Sequence, residues 1–127
     1  MSKYIRNGFA AVRPYVFGPH AILDFVKSAF KGKVISQFEL ADNALHTEVK
    51  IDDSIIVLEL CDPPHKSGIP SSIYVYVEDV DSAVKLAIDQ GVEVFSLPED
   101  KPYDERQAGL RDSYGNIWWV STYNASE

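Results

Sequence analysis

A run of prolines at the midpoint limits what this chain can fold into more than any other feature. Asp62-Pro63-Pro64-His65-Lys66-Ser67-Gly68-Ile69-Pro70 continues neither helix nor strand, because each proline fixes φ and removes a backbone N–H donor. The run cuts a 127-residue chain, long enough for one domain around one core, into nearly equal halves. Those halves are the natural units to compare for an internal repeat.

The comparison predicts the same order of elements twice. Module one, about residues 9–61, opens with a β-branched and aromatic stretch at 9–16, where Pro14 implies an edge position or a bulge. Gly18-Pro19 then starts a helix running to about Phe30, with Ile22, Phe25, Val26, Ala29 and Phe30 on one face and Gly32 just beyond its end. Three strands follow at 34–40, 45–51 and 54–60, separated by Asp42-Asn43 and Asp52-Asp53. After the linker at 62–70, module two occupies about 71–122. It has a strand at 72–77, then a helix capped by Asp79 with Val80, Ala83, Val84, Ala87 and Ile88 on one side, stopped at Gly91. A strand at 92–96, a polar loop at 98–105 and a hairpin of 106–111 with 117–122 complete it. The same string nearly permits one ferredoxin-like α+β domain with extra strands.

Charge narrows the partners. A formal net charge of −7 and a pI near 4.9 repel phosphate backbones and anionic lipid, so neither nucleic acid nor membrane is expected as a partner. No run approaches the ~20 apolar residues of a membrane span, and the first residues lack the apolar stretch of a signal peptide. Cys61 is the only cysteine, which forbids an internal disulfide and fits a reducing cytoplasm, the expected location. Its expected role is packing at a strand end.

Longer stretches carry a family resemblance. SIYVYVEDVD at 72–81 and YDERQAGLRDSYGNIWWVST at 103–122 are similar to two segments of the PhnB-like branch of the vicinal-oxygen-chelate (glyoxalase/bleomycin resistance protein/dioxygenase) superfamily. In the first half, RPYV at 13–16, FVKSAF at 25–30 and HTEVKI at 46–51 match weaker landmarks, so the resemblance spans roughly 12–122. Asp104 and Glu105 stand where relatives usually carry Gly and Asp, Ser113 where they carry proline, and Tyr114 where they carry phenylalanine. The resemblance implies an α+β fold in which two βαβββ modules form a curved mixed sheet around a cleft. It also implies a small organic ligand and pairing of two chains into a homodimer.

Catalytic members of that superfamily hold a divalent metal with four side chains, from the first and last strands of each module. Carried over by motif, the positions are Ala11 and Ser72, then Glu59 and Trp119, with nearly equal separations in the two halves. Only Glu59 is a good donor, and a catalytic site normally takes about three His, Asp or Glu ligands plus water. No metal or other cofactor is therefore expected. His46 and Glu48 share a strand face and could join Glu59 in a rearranged site, or they could form the solvated side of an antiparallel sheet. His20 and His65 read as surface residues.

The remaining candidates each carry two readings. Glu59, within the run IIVLEL at 55–60, is a proton acceptor or ligand anchor, or the mate of Arg13 in an ion pair. Tyr74 and Tyr76 share a face with Ser72, and with Trp119 they either line a cleft or fill space left by a lost metal. Trp118, of opposite parity, points to the helix layer. Arg106 either grips an anionic ligand group or bridges to Asp104 or Glu105. Asp112 to Asn116 read as hairpin-turn residues only.

Three functions compete on these residues. The first is metal-independent binding of a small organic molecule, such as drug or metabolite sequestration, by Arg13, His46, Glu48, Glu59, Ser72, Tyr74, Tyr76, Arg106 and Trp119. The second is a metal-dependent lyase, isomerase or dioxygenase, with Glu59 as the catalytic residue beside His46. The third is a divergent copy in which only the dimer surface matters.

Overall fold

The computed structural model describes residues 3–124. Strand β1 (Tyr15–Gly18) leads into helix α1 (Ala21–Phe30), followed by β2 (Lys33–Glu39), β3 (Leu45–Ile51) and β4 (Ser54–Leu60). Module two repeats the order with β5 (Ser72–Tyr76), α2 (Val80–Asp89), β6 (Glu93–Lys101), β7 (Glu105–Arg111) and β8 (Ile117–Tyr123). The strands form two four-stranded sheets of like topology, β1-β4-β3-β2 and β5-β8-β7-β6. In each, the first and last strands of the module pair in parallel and the other neighbours are antiparallel. The expected α+β plan of two βαβββ modules is what forms. Its sheet is realised as two mixed halves.

Helix α2 starts and stops where its sequence dictates. Asp79 accepts a hydrogen bond from Ser82 N at 3.2 Å, satisfying a donor that the first turn leaves free. Past the other end, Gly91 takes φ 80°, which a residue with a Cβ adopts only with strain. In α1 the left-handed C-cap is Lys31 (φ 57°), one residue before the expected Gly32, which lies buried. The apolar stripes Ile22, Phe25, Val26, Ala29, Phe30 and Val80, Ala83, Val84, Ala87 are buried in one core shared with one side of each sheet. Trp118 is fully buried there, its indole 5.5 Å from the Phe25 ring and 5.4 Å from Phe30. A module-two strand is thus packed by the module-one helix, which joins the halves through apolar burial.

Side chains of module two from the β7–β8 turn and from just before β5 hold the β1 backbone. Asn116 Nδ2 donates to Phe17 O at 2.9 Å and Ser71 Oγ donates to Tyr15 O at 2.9 Å. Asn116 is itself held by Asp112, whose carboxylate also accepts from Tyr114 N, Asn116 N and Trp118 Nε1. Asp112 and Asn116 are more than turn residues: both are buried, and they latch the β7–β8 hairpin to the other module.

Two expectations need correction. Residues 9–14 are not strand; the chain turns through Asn7 (φ 68°) and Ala10 (φ 59°), and Arg13 gathers that strap by donating to Ala10 O at 2.8 Å and Phe9 O at 3.0 Å. Part of the loop expected at 98–105 is strand, since β6 runs to Lys101 with its pairing to β7 shifted between Ser96 and Glu99. The linker at 62–70 packs back on the first sheet. Tyr114 Oη donates to His65 O at 2.6 Å, and a Cβ at Gly68 would collide with the Tyr114 hydroxyl and sit 2.7 Å from Phe17 Cγ. Among the described residues, no helix is long and apolar enough to cross a membrane.

Candidate functional site

Strand parity sorts the chemistry onto the sheet faces turned away from the helices. In module one, Val16, Leu58 and Val49 point into the core, so Tyr15, Phe17, Glu59, His46 and Glu48 take the other, inner face. In module two the core takes Ile73, Val75, Trp118 and Val120, leaving Ser72, Tyr74, Tyr76, Trp119, Ser121, Glu105 and Gln107 on the inner face.

On the first face each carboxylate has partners. Glu59 accepts a hydrogen bond from Tyr15 Oη, and His65 Nε2 lies 2.9 Å from its other oxygen. Burial, then the hydrogen bond and charge of Glu59, push the Tyr15 phenol up to about 12, so it stays a donor at neutral pH. His46 pairs in register with Glu59, its ring edge-on to Tyr15 at 6.2 Å and tilted on Phe38 at 6.0 Å. His46 Nε2 is 3.5 Å from Glu48, which is buried and receives a hydrogen bond from Arg13 at 3.2 Å. Arg6 Nε lies 3.9 Å from the second Glu48 oxygen and its guanidinium sits 4.6 Å over the Phe38 ring.

Several expectations change here. Arg13 pairs with Glu48, not Glu59, because the strap places it over β3. His65 is a half-buried neighbour of Glu59, not a surface residue. The strap also covers the face of His46 and Glu48 that would otherwise be solvated. His20 is half-buried at the start of α1, 2.7 Å from Asp62, and its hydrogen bond draws that carboxyl below the usual range.

The second face is built around Glu105, a buried residue at the start of β7. Its carboxylate accepts from Tyr74 Oη and, at 2.5 Å, from Tyr76 Oη. These two donors hold its pKa below the ordinary glutamate value. In return the Tyr76 phenol is pushed up to about 12, chiefly by the Glu105 hydrogen bond, and Tyr74 is raised chiefly by burial. Gln107 extends the network, donating to Tyr74 Oη at 2.8 Å and Ser121 Oγ at 2.9 Å, while Tyr103 Oη donates to Gln107 Oε1 at 3.1 Å. Trp119 pairs with Tyr74 in register and packs edge-on to Phe95 at 5.2 Å. Ser72 is exposed at the strand entry. A cavity of about 240 Å³ borders Tyr74 and Tyr76, and one of about 490 Å³ lies between Tyr76, Glu78 and the end of α1.

Arg106 stands apart from this face. It donates to Asp81 at 2.8 Å and to Asp100 at 3.3 Å, not to Asp104 or Glu105. Its helix-side parity on β7 brings it to α2. Glu105 and Gln107 escaped sequence reasoning as site residues, although their alternation opposite Tyr123 and Ser121 is the signal that places them beside Tyr74.

The donors do not fit a divalent ion. Ala11 is exposed in the bend before β1; register instead puts Phe17 beside Glu59 and Tyr74 beside Trp119. Phe17 and Trp119 offer no ligand atom, Glu59 is engaged by Tyr15 and His65, and Glu48 by Arg13. Among the described residues, no three His, Cys, Asp or Glu side chains converge as a metal would require.

A family model, the Glyoxalase/Bleomycin resistance protein/Dioxygenase superfamily, matches residues 9–120. The chain belongs to this superfamily. Solved structures of like fold to this superfamily member include TioX from Micromonospora sp. ML1, 19% identical over 88% of this chain and 95% of that one, with a TM-score of 0.67. TnmS3, an antibiotic binding protein from Streptomyces sp. CB03234, is 18% identical over 92% and 98%, with a TM-score of 0.66. The fosfomycin resistance protein FosX from Listeria monocytogenes is 13% identical over 93% and 94%, with a TM-score of 0.69. At these identities the likeness is one of fold. No curated protein matches the chain in sequence.

Proposed function

We propose that this superfamily member binds a small organic molecule without a metal, on the inner face of module two. One observation carries the reading: the first face spends its carboxylates on internal partners, whereas the second presents exposed tyrosine rings around a hydrogen-bonded Glu105. Aromatic surface with a few fixed polar groups is what a flat, partly polar ligand needs. That TnmS3 is an antibiotic binding protein and FosX a fosfomycin resistance protein agrees with ligand binding on this fold.

In this reading Tyr74, Tyr76, Trp119 and Ser72 line the ligand site, and Glu59 with His46 stays on the closed first face, where Tyr15 and His65 engage the carboxylate. Arg13, Glu48 and Arg106 are assigned to holding the fold. The same proposal includes a single domain, a cytoplasmic location, membership of the PhnB-like branch on the strength of residues 103–122, and a homodimer. The exposed Val34 and Phe38 on the free edge strand β2 support the dimer.

The test is a thermal-shift panel of aromatic and heteroaromatic metabolites and drugs on protein purified without an affinity tag and dialysed against a chelator. A ligand at about one hundredfold its Kd adds about 2.7 kcal/mol of stability, a clear rise in Tm. The expected result is such a rise, unchanged by chelation. Stoichiometric zinc, nickel, manganese or iron, lost in Glu59→Gln, would overturn the reading.

A further inference from the structure

Charge on the second inner face is unbalanced. Glu105 is 7% exposed, yet its oxygens meet neutral hydroxyls, those of Tyr74, Tyr76 and Ser121, and among the described residues no Lys, Arg or His lies within ion-pair distance. Lys101, its partner across the strand pair, turns to Glu99 at 2.5 Å, and Arg106 beside it turns to Asp81 and Asp100. A carboxylate kept ionised by neutral donors, with no counter-charge beside it, is attractive for a cationic guest.

The two phenols strengthen that attraction. Their hydroxyls point inward to the carboxylate while the rings remain 48% and 58% exposed, 5.5 Å apart and tilted at 61°. Donation to an anion makes a phenol ring more electron-rich, and such faces hold ammonium groups by the ring quadrupole. The adjoining cavity of about 240 Å³ has the same sign: its lining is mainly aliphatic, and its charged residues are Asp52 and Asp53, with no Lys or Arg beside Tyr74 and Tyr76.

We infer that the Tyr74–Tyr76–Glu105 cluster is a recognition site for the ammonium group of an organic cation. The cation rests on the two rings, with Glu105 behind them as counter-charge and Asp52 and Asp53 at the cavity wall. Gln107 and Tyr103 are positioning residues, holding the Tyr74 hydroxyl in place. This inference rests on the small-molecule-binding reading and adds the ligand's charge.

The test pairs two probes of equal shape and different charge, choline and 3,3-dimethyl-1-butanol, titrated into the full chain and followed by NMR. Choline is expected to shift the signals of Tyr74, Tyr76 and Glu105 saturably, with affinity falling as salt rises. The neutral isostere binds at least about tenfold more weakly. Glu105→Gln, which removes the charge and keeps one acceptor oxygen for the tyrosines, weakens choline by a similar factor. Tyr76→Leu, at an exposed ring, weakens it about fivefold and keeps the test open if Glu105→Gln fails to fold. Equal binding of both probes, or choline binding indifferent to both substitutions, overturns the cation site while leaving small-molecule binding intact. Failure of both probes, with a neutral ligand from the panel binding, does the same. Failure of probes and panel together overturns both readings.

Discussion

The inner faces of the two modules share strand order and parity but treat charge in opposite ways. On the first, Glu48 is locked to Arg13 and Glu59 is shared by Tyr15 and His65, with the strap at 6–13 and the linker bringing the partners in. On the second, Glu105 meets neutral hydroxyls with no cation beside it, and the rings of Tyr74 and Tyr76 stay exposed. One topology, repeated, has yielded a closed face that supports the structure and an open face available to a ligand. Strand pairing dictates only which side chains share a face; what those side chains meet across it depends on segments outside the repeat.

The sharpest way to break the comparison is Arg13→Ala. It leaves the Glu48 carboxylate buried without its main cation and releases the strap, so urea unfolding should show a loss of about 3 kcal/mol. Adding Glu48→Gln should restore much of it, because the remaining group is neutral. If Arg13→Ala changes stability no more than an ordinary surface substitution, the first face is not held by this pair.

A smaller effect separates the faces by titration. Tyr15 and Tyr76 are both pushed up to about 12, but burial leads for Tyr15 and the Glu105 hydrogen bond leads for Tyr76. A raised phenol pKa in the folded state means these groups stabilise the fold fully below the ordinary value of 10.0 and lose that contribution as pH climbs through about 12. Near-UV phenolate absorbance should therefore show late-ionising tyrosines. Glu105→Gln should return one of them toward the ordinary range, and Glu59→Gln should lower Tyr15 only in part. Equal responses to the two substitutions would erase the distinction between the faces.

Much of the fold was legible because its signals are local. Asp79 as N-cap, the apolar stripe from Ile22 to Phe30, the turns at Asp42-Asn43 and Asp52-Asp53 and the parity of Trp118 against Trp119 all follow from spacing. Parity also places Tyr74, Tyr76 and Trp119 on one face, as expected. What failed was decided over long separations. Phe9 to Val12 have strand composition, but Arg13 reaches Glu48 on β3, and that pair turns the segment into a strap. His65 sits in a proline-rich run that looks solvent-bound, yet Tyr114 holds its carbonyl and turns it to Glu59. Glu105 looked like a loop charge beside Arg106, whereas β6 continues to Lys101 and brings Glu105 into a strand facing two tyrosines. A single sequence carries no marker of which distant partner a charge will find.

The most direct test of the division between the faces is a two-dimensional amide NMR map, recorded on chelator-treated protein with and without the best ligand from the thermal-shift panel. Perturbations should concentrate on β5, β7 and β8, around Tyr74, Tyr76, Glu105, Gln107 and Trp119, with β1, β3 and β4 unmoved. Perturbations centred instead on Glu59 and His46, and seen only when a divalent metal is restored, would contradict it.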